Sequence, residues 1–78
     1  MKPYLAVDQN NFVYATDPTA WRVLVWDAEG KPQAAFGEFG SGPGEFGYPN
    51  GVAASPDGFI WVADADNSRV MKFAAISR

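Results

Sequence analysis

The chain has 78 residues, no cysteine, no histidine and a net charge of −3. A core in so short a chain rarely supplies more than about 3–5 kcal/mol. Disulfides and Cys/His zinc sites are excluded as reinforcement, which leaves self-association.

The elements read as follows in chain order. Leu5–Val7 is a short strand closed by a turn at Asn10-Asn11, residues that tolerate the positive φ of hairpin turns. Phe12–Thr16 is a second strand, apolar on both faces, as in a sheet packed between two neighbours. The polar connection Asp17–Trp21 leads to a third strand, Arg22–Trp26. A turn at Ala28–Pro32 leads to a fourth, Gln33–Phe36. A glycine-rich segment follows, and the series then restarts with Val52–Ala54, a turn at Pro56-Asp57-Gly58, Phe59–Ala63, the connection Asp64–Ser68 and Arg69–Phe73. Eight glycines and six prolines leave no apolar stripe of helical period, so no helix is expected.

The recurrence is an internal repeat. Leu5–Trp26 lies over Val52–Phe73 without a gap, at an offset of 47 residues. Ala6/Ala53, Phe12/Phe59, Asp17/Asp64, Arg22/Arg69 and Val23/Val70 are identical; Leu5/Val52, Val13/Ile60, Tyr14/Trp61, Leu24/Met71 and Trp26/Phe73 are conservative. Four short antiparallel strands per ~40–45 residues is the spacing of a propeller blade. A blade has two apolar faces and buries them only against other blades. The expected fold is therefore all-β, with propeller blades of short antiparallel strands and a ring completed by homo-oligomerisation. Residues 1–47 form the first blade and its linker. Residues 48–78 form a second blade whose outermost strand is missing, because two full repeats at this offset exceed the 78 residues.

Phe36–Phe73 closely resembles the NHL repeat family. The elements carrying the resemblance are Phe39-Gly40, Gly42-Pro43-Gly44, Phe46, Pro49, Asp57-Gly58, Trp61-Val62-Ala63-Asp64, Asn67 and Arg69-Val70. The first copy keeps Asp17 and Arg22 but has Ala20 where the pattern has Asn. A WD40 propeller is the weaker rival: Trp26-Asp27 and Ser55–Gly58 fit it, but its Gly-His element is missing. NHL propellers commonly have six blades, so the resemblance implies a homotrimer of two-blade chains, with a homotetramer of eight blades as the alternative. A chain of this kind is a natural miniature, a designed protein or a piece excised from a longer one.

Gly42–Gly47 fits the letters of a dinucleotide fingerprint, but a strand follows it where the fingerprint needs a helix, so it reads as a linker. Asp17/Arg22 and Asp64/Arg69 recur at one spacing, with Asp66 and Asn67 inside the second pair. Such carboxylates either line a central channel as a ligand site or accept amide hydrogen bonds in turns while Arg clamps a neighbouring group; the structural role is the expectation. Trp26 and Trp61 face aromatic counterparts, Phe73 and Tyr14, which points to packing between blades. Trp21 faces Ser68 and is a candidate contact at a propeller mouth. Asp17, Trp21, Asp64, Asp66 and Asn67 are thus the candidate ligand or partner contacts, and Arg22, Arg69, Trp26 and Trp61 the structural signature. No triad, metal set or cofactor motif is recognised. A non-enzymatic scaffold or binding module for a protein or small molecule is expected, with a carboxylate-based enzyme as the alternative. The scattered Lys and Arg residues disfavour nucleic acid, and no apolar run approaches the ~20 residues of a membrane helix. Met1–Asn10 lacks the apolar segment of a signal peptide, so a complete natural chain is expected in the cytoplasm.

Overall fold

The computed structural model describes residues 4–76. Strands β1 (Leu5–Val7), β2 (Val13–Asp17), β3 (Arg22–Trp26) and β4 (Pro32–Phe36) form an antiparallel meander in sequence order. β5 (Glu38–Phe39) and β6 (Glu45–Phe46) form a small parallel ladder inside the linker. β7 (Pro49–Ser55), β8 (Phe59–Asp64) and β9 (Arg69–Ala74) form a second antiparallel meander, three-stranded among the described residues.

Turn chemistry sets these hairpins. Asp8 Oδ1 accepts the amides of Asn10 and Phe12, which folds the chain back after β1. Asn11 there has φ 67°, and Gly58, at the equivalent position between β7 and β8, has φ 92°. Asn and Gly are the residues that enter this left-handed region most easily, so the repeat preserves the conformation with different side chains. Pro32 and Pro49 each stand at the first residue of a strand, where no ladder amide is demanded of them.

The two sheets stack face to face, with β7 lying against β1 and β2. The strand register assigns the faces, because directly paired residues share one side of a sheet. In the first sheet Ala6, Tyr14 and Val25 share a face with Thr16, Val23 and Phe36. In the second, Val52, Val62 and Met71 share a face with Ala54, Ile60 and Phe73. These two faces meet in the core, where Tyr14, Val23, Val25, Ile60 and Val62 are essentially inaccessible. The linker contributes Phe46, fully buried and 5.9 Å in ring centroid from Phe73, which also meets Phe36 at 4.8 Å.

Three details differ from the sequence expectation. A single 3-10 turn, Pro18–Ala20, occupies the β2–β3 connection; it is too short to show a helical apolar stripe. The β7 strand reaches back to Pro49, because its extra residues pair with the end of β8. Trp26 and Trp61 do not lie between the two sheets, although Phe73 and Tyr14 do. Trp26 lies on the outward face of the first sheet, beside Val7 and Val13, and Trp61 on the outward face of the second, beside Ala53 and Lys72. Equivalent residues occupy the same face of successive sheets, so a two-sheet stack internalises only one member of each pair.

Candidate functional site

Three connections gather at one end of the stack. Asp17 pairs with Arg22, Val23 with Phe36, and Pro49 with Asp64, which pairs in turn with Arg69. The β2–β3 loop, the linker 37–48 and the β8–β9 turn therefore emerge together.

Asp64 organises this end. It is 1% exposed, and its carboxylate accepts the amides of Gly47 at 3.0 Å and Tyr48 at 2.8 Å and the Asn67 Nδ2 group at 2.7 Å. Asn67 Nδ2 also reaches the Gly40 carbonyl at 2.9 Å. Burial alone would raise the Asp64 pKa, but the amides of Tyr48 and Gly47, the Asn67 side chain and the Arg69 charge outweigh it and hold the carboxyl below its ordinary value.

Arg69 fastens the glycine-rich linker. Nη1 donates to the Ser41 carbonyl at 2.7 Å, and Nη2 donates to the carbonyls of Gly42 at 2.8 Å and Glu45 at 2.7 Å. Its Nε, 4.0 Å from Asp64 Oδ2, is buried and makes no hydrogen bond. Glu45 closes the loop from inside by accepting the Gly42 amide through Oε1 at 2.8 Å. The planar guanidinium suits this fork of carbonyls, which an ammonium would match poorly.

The first copy uses the same pair differently. Arg22 Nε donates to Asp17 Oδ2 at 3.1 Å, and Thr19 Oγ1 donates to Oδ1 at 3.3 Å, all near solvent. Here the arginine pairs with the carboxylate directly, whereas Arg69 turns its guanidinium to the linker carbonyls. Asp66 is exposed in the β8–β9 turn. Asp17 serves its own loop, whereas Asp64 ties the β8–β9 turn to the linker. Among the described residues no group of His, Cys, Asp or Glu is placed to hold a metal ion.

Trp21, like Asp66, is a sequence candidate that faces solvent. It is 39% exposed and lies against Phe39, itself 66% exposed, with ring centroids 5.0 Å apart. Its φ of 53° matches the 52° of Ser68 at the equivalent position, so the left-handed conformation belongs to the repeat and not to the tryptophan. Phe39 was not a sequence candidate, because its Phe-Gly dipeptide reads as linker; only the tertiary fold sets it beside Trp21.

A second polar cluster closes the opposite end. The Tyr14 hydroxyl donates to Asp8 Oδ2 and accepts the Ile76 amide, both at 2.9 Å. Burial chiefly pushes its pKa up to about 12, with the Asp8 hydrogen bond and charge adding to the rise and the Ile76 amide opposing it. The equivalent pair in the second sheet is Trp61 and Ser55, where Nε1 donates to Oγ at 3.1 Å. The bridge survives the exchange of both residues.

Short antiparallel meanders, stacked face to face and repeating in sequence, are consistent with β-propeller blades. Residues 46–73 match the NHL repeat family. The chain is also similar to the RING finger protein nhl-1 of Caenorhabditis elegans, 40% identical over 48 residues. That alignment covers 62% of this chain and 5% of the nematode protein, so the chain spans only a small part of its relative.

Proposed function

We propose that this chain is a non-catalytic propeller module that binds a protein partner through the end carrying Trp21 and Phe39, and that two-blade chains associate into a closed ring. The supporting observation for binding is the exposed aromatic pair at the end where three connections gather. Aromatic side chains give large contact area at small entropy cost and dominate protein contacts. Ring association is supported by the apolar character of both outward sheet faces. Three chains give six blades and four give eight. A carboxylate enzyme gains nothing from the geometry, because the oxygens of Asp64 are committed to backbone and side-chain donors.

A peptide selection against the 78-residue chain tests the binding site. Peptides selected on the wild type should lose at least tenfold in affinity to the Trp21→Ser variant, about 1.4 kcal/mol. The same variant should keep its far-ultraviolet spectrum, since Ser68 already adopts the required φ. Peptides indifferent to both Trp21→Ser and Phe39→Ser would refute the assignment. Native mass spectrometry tests the ring: three or four chains support it, and one chain at micromolar concentration refutes it.

A further inference from the structure

The contact between the two sheets is itself a template for how the outward faces are covered. Shifting the numbering by the repeat offset of 47 maps the buried face of the first sheet onto the outward face of the second. Ala6, Tyr14, Thr16 and Val23 become Ala53, Trp61, Ala63 and Val70, which the register places together on that outward face. The same shift maps the outward face of the first sheet onto the buried face of the second. Leu5, Val7, Val13, Leu24 and Trp26 become Val52, Ala54, Ile60, Met71 and Phe73, apolar at every position.

Both outward faces therefore carry the chemistry of a surface already used inside the chain. Leu5 and Val7 are 65% and 58% exposed on one, Trp61 and Val70 38% and 62% exposed on the other. Isolated exposed apolar residues need no explanation, but these are grouped by register on two faces. The faces differ from each other, whereas self-complementary pairing requires the same patch on both partners.

The geometry points to head-to-tail docking with a second copy of this chain: the outward face built on Trp61 and Val70 receives the partner copy's outward face built on Leu5, Val7, Leu24 and Trp26, repeating the intrachain sheet contact. Lys72 supports the pairing by charge. It lies on the Trp61 face with Nζ 4.5 Å from the Phe59 ring centroid and 5.4 Å from that of Trp61. Within the chain the Ile76 amide sits on Tyr14. The offset maps Ile76 to Glu29 and Tyr14 to Trp61, which brings an acidic residue of the second copy to the corner held by Lys72. Repetition of one heterologous contact closes a ring when its rotation allows. This inference rests on the ring association proposed above and adds its direction and residues.

Two blocking variants test it, each altering a side chain more than half exposed in the single chain: Val7→Glu on one face and Val70→Glu on the other. Native mass spectrometry and sedimentation should find each variant monomeric alone. An equimolar mixture should give a heterodimer that grows no further, because one intact face remains on each chain. Homodimers of either variant alone, or a mixture that stays monomeric while the wild type assembles, would overturn head-to-tail docking and leave ring association standing. A monomeric wild type would overturn both. Unchanged near-ultraviolet circular dichroism of the variants establishes that the two-sheet core is intact.

Discussion

Replacing Asp64 by Asn keeps the size of the side chain and removes its charge. The carboxylate accepts the Gly47 and Tyr48 amides and the Asn67 side chain, at 1% exposure. Asn offers one acceptor oxygen and turns an NH2 group toward donors, so at least one buried donor loses its partner. Hydrogen bonds to charged groups contribute about 1.5–3 kcal/mol, and an orphaned buried donor costs ~1–3 kcal/mol, so a loss of about 3 kcal/mol is expected. A chain of this length has about 4–12 kcal/mol in total, which makes that loss a quarter or more of its stability. With a urea dependence of ~1 kcal/mol/M the midpoint should fall by about 3 M, measured at one fixed protein concentration. The folded-state pKa of Asp64 lies below the ordinary aspartate value of 3.8. Its contribution is therefore fully present above pH 3.8 and lost as the pH falls through the folded value. The gap between wild type and Asp64→Asn should be full at pH 7 and close on acidification. A gap under about 0.5 kcal/mol at pH 7, or one undiminished at pH 2, would refute the clamp.

Tyr14→Phe leaves Asp8 Oδ2 and the Ile76 amide without their hydroxyl and should cost about 1–2 kcal/mol at neutral pH. Because burial chiefly raises the Tyr14 pKa from 10.0 to about 12, its contribution is complete below pH 10 and lost as the pH rises toward 12; the alkaline loss, up to ~2–3 kcal/mol, should be missing in the Phe variant. Gly37→Ala should cost more than about 2 kcal/mol, since Gly37 has φ 107° and a Cβ there would lie 2.5 Å from Phe46 Cε2. Gly30→Ala is the control, with φ 84° but open space around it, and should lose ~1 kcal/mol in a thermal melt; equal losses would show that Phe46 yields to the intruding methyl.

The repeat made most of the strand plan legible. The span Arg22–Trp26 appears as expected, and the turns at Asn11 and Gly58 take the positive φ their residue types announced. Hairpins are local: their turn chemistry and alternation lie within a dozen residues of one another, where sequence alone constrains the chain. The sequence also showed that Asp64 and Arg69 form a unit, because the repeat holds them at one spacing.

What the sequence by itself determined is therefore the strand order, the turns and the presence of two faces on each meander. Tertiary structure alone decided which face is buried, which carbonyls Arg69 grips, and that Phe39 meets Trp21. Trp61 and Tyr14 are equivalent in sequence, yet one is outward and the other internal. A two-sided strand pattern records that both faces are apolar, and not which of them the second sheet covers; that choice depends on how the linker, pinned by Phe46 and Arg69, carries the chain from one sheet to the next.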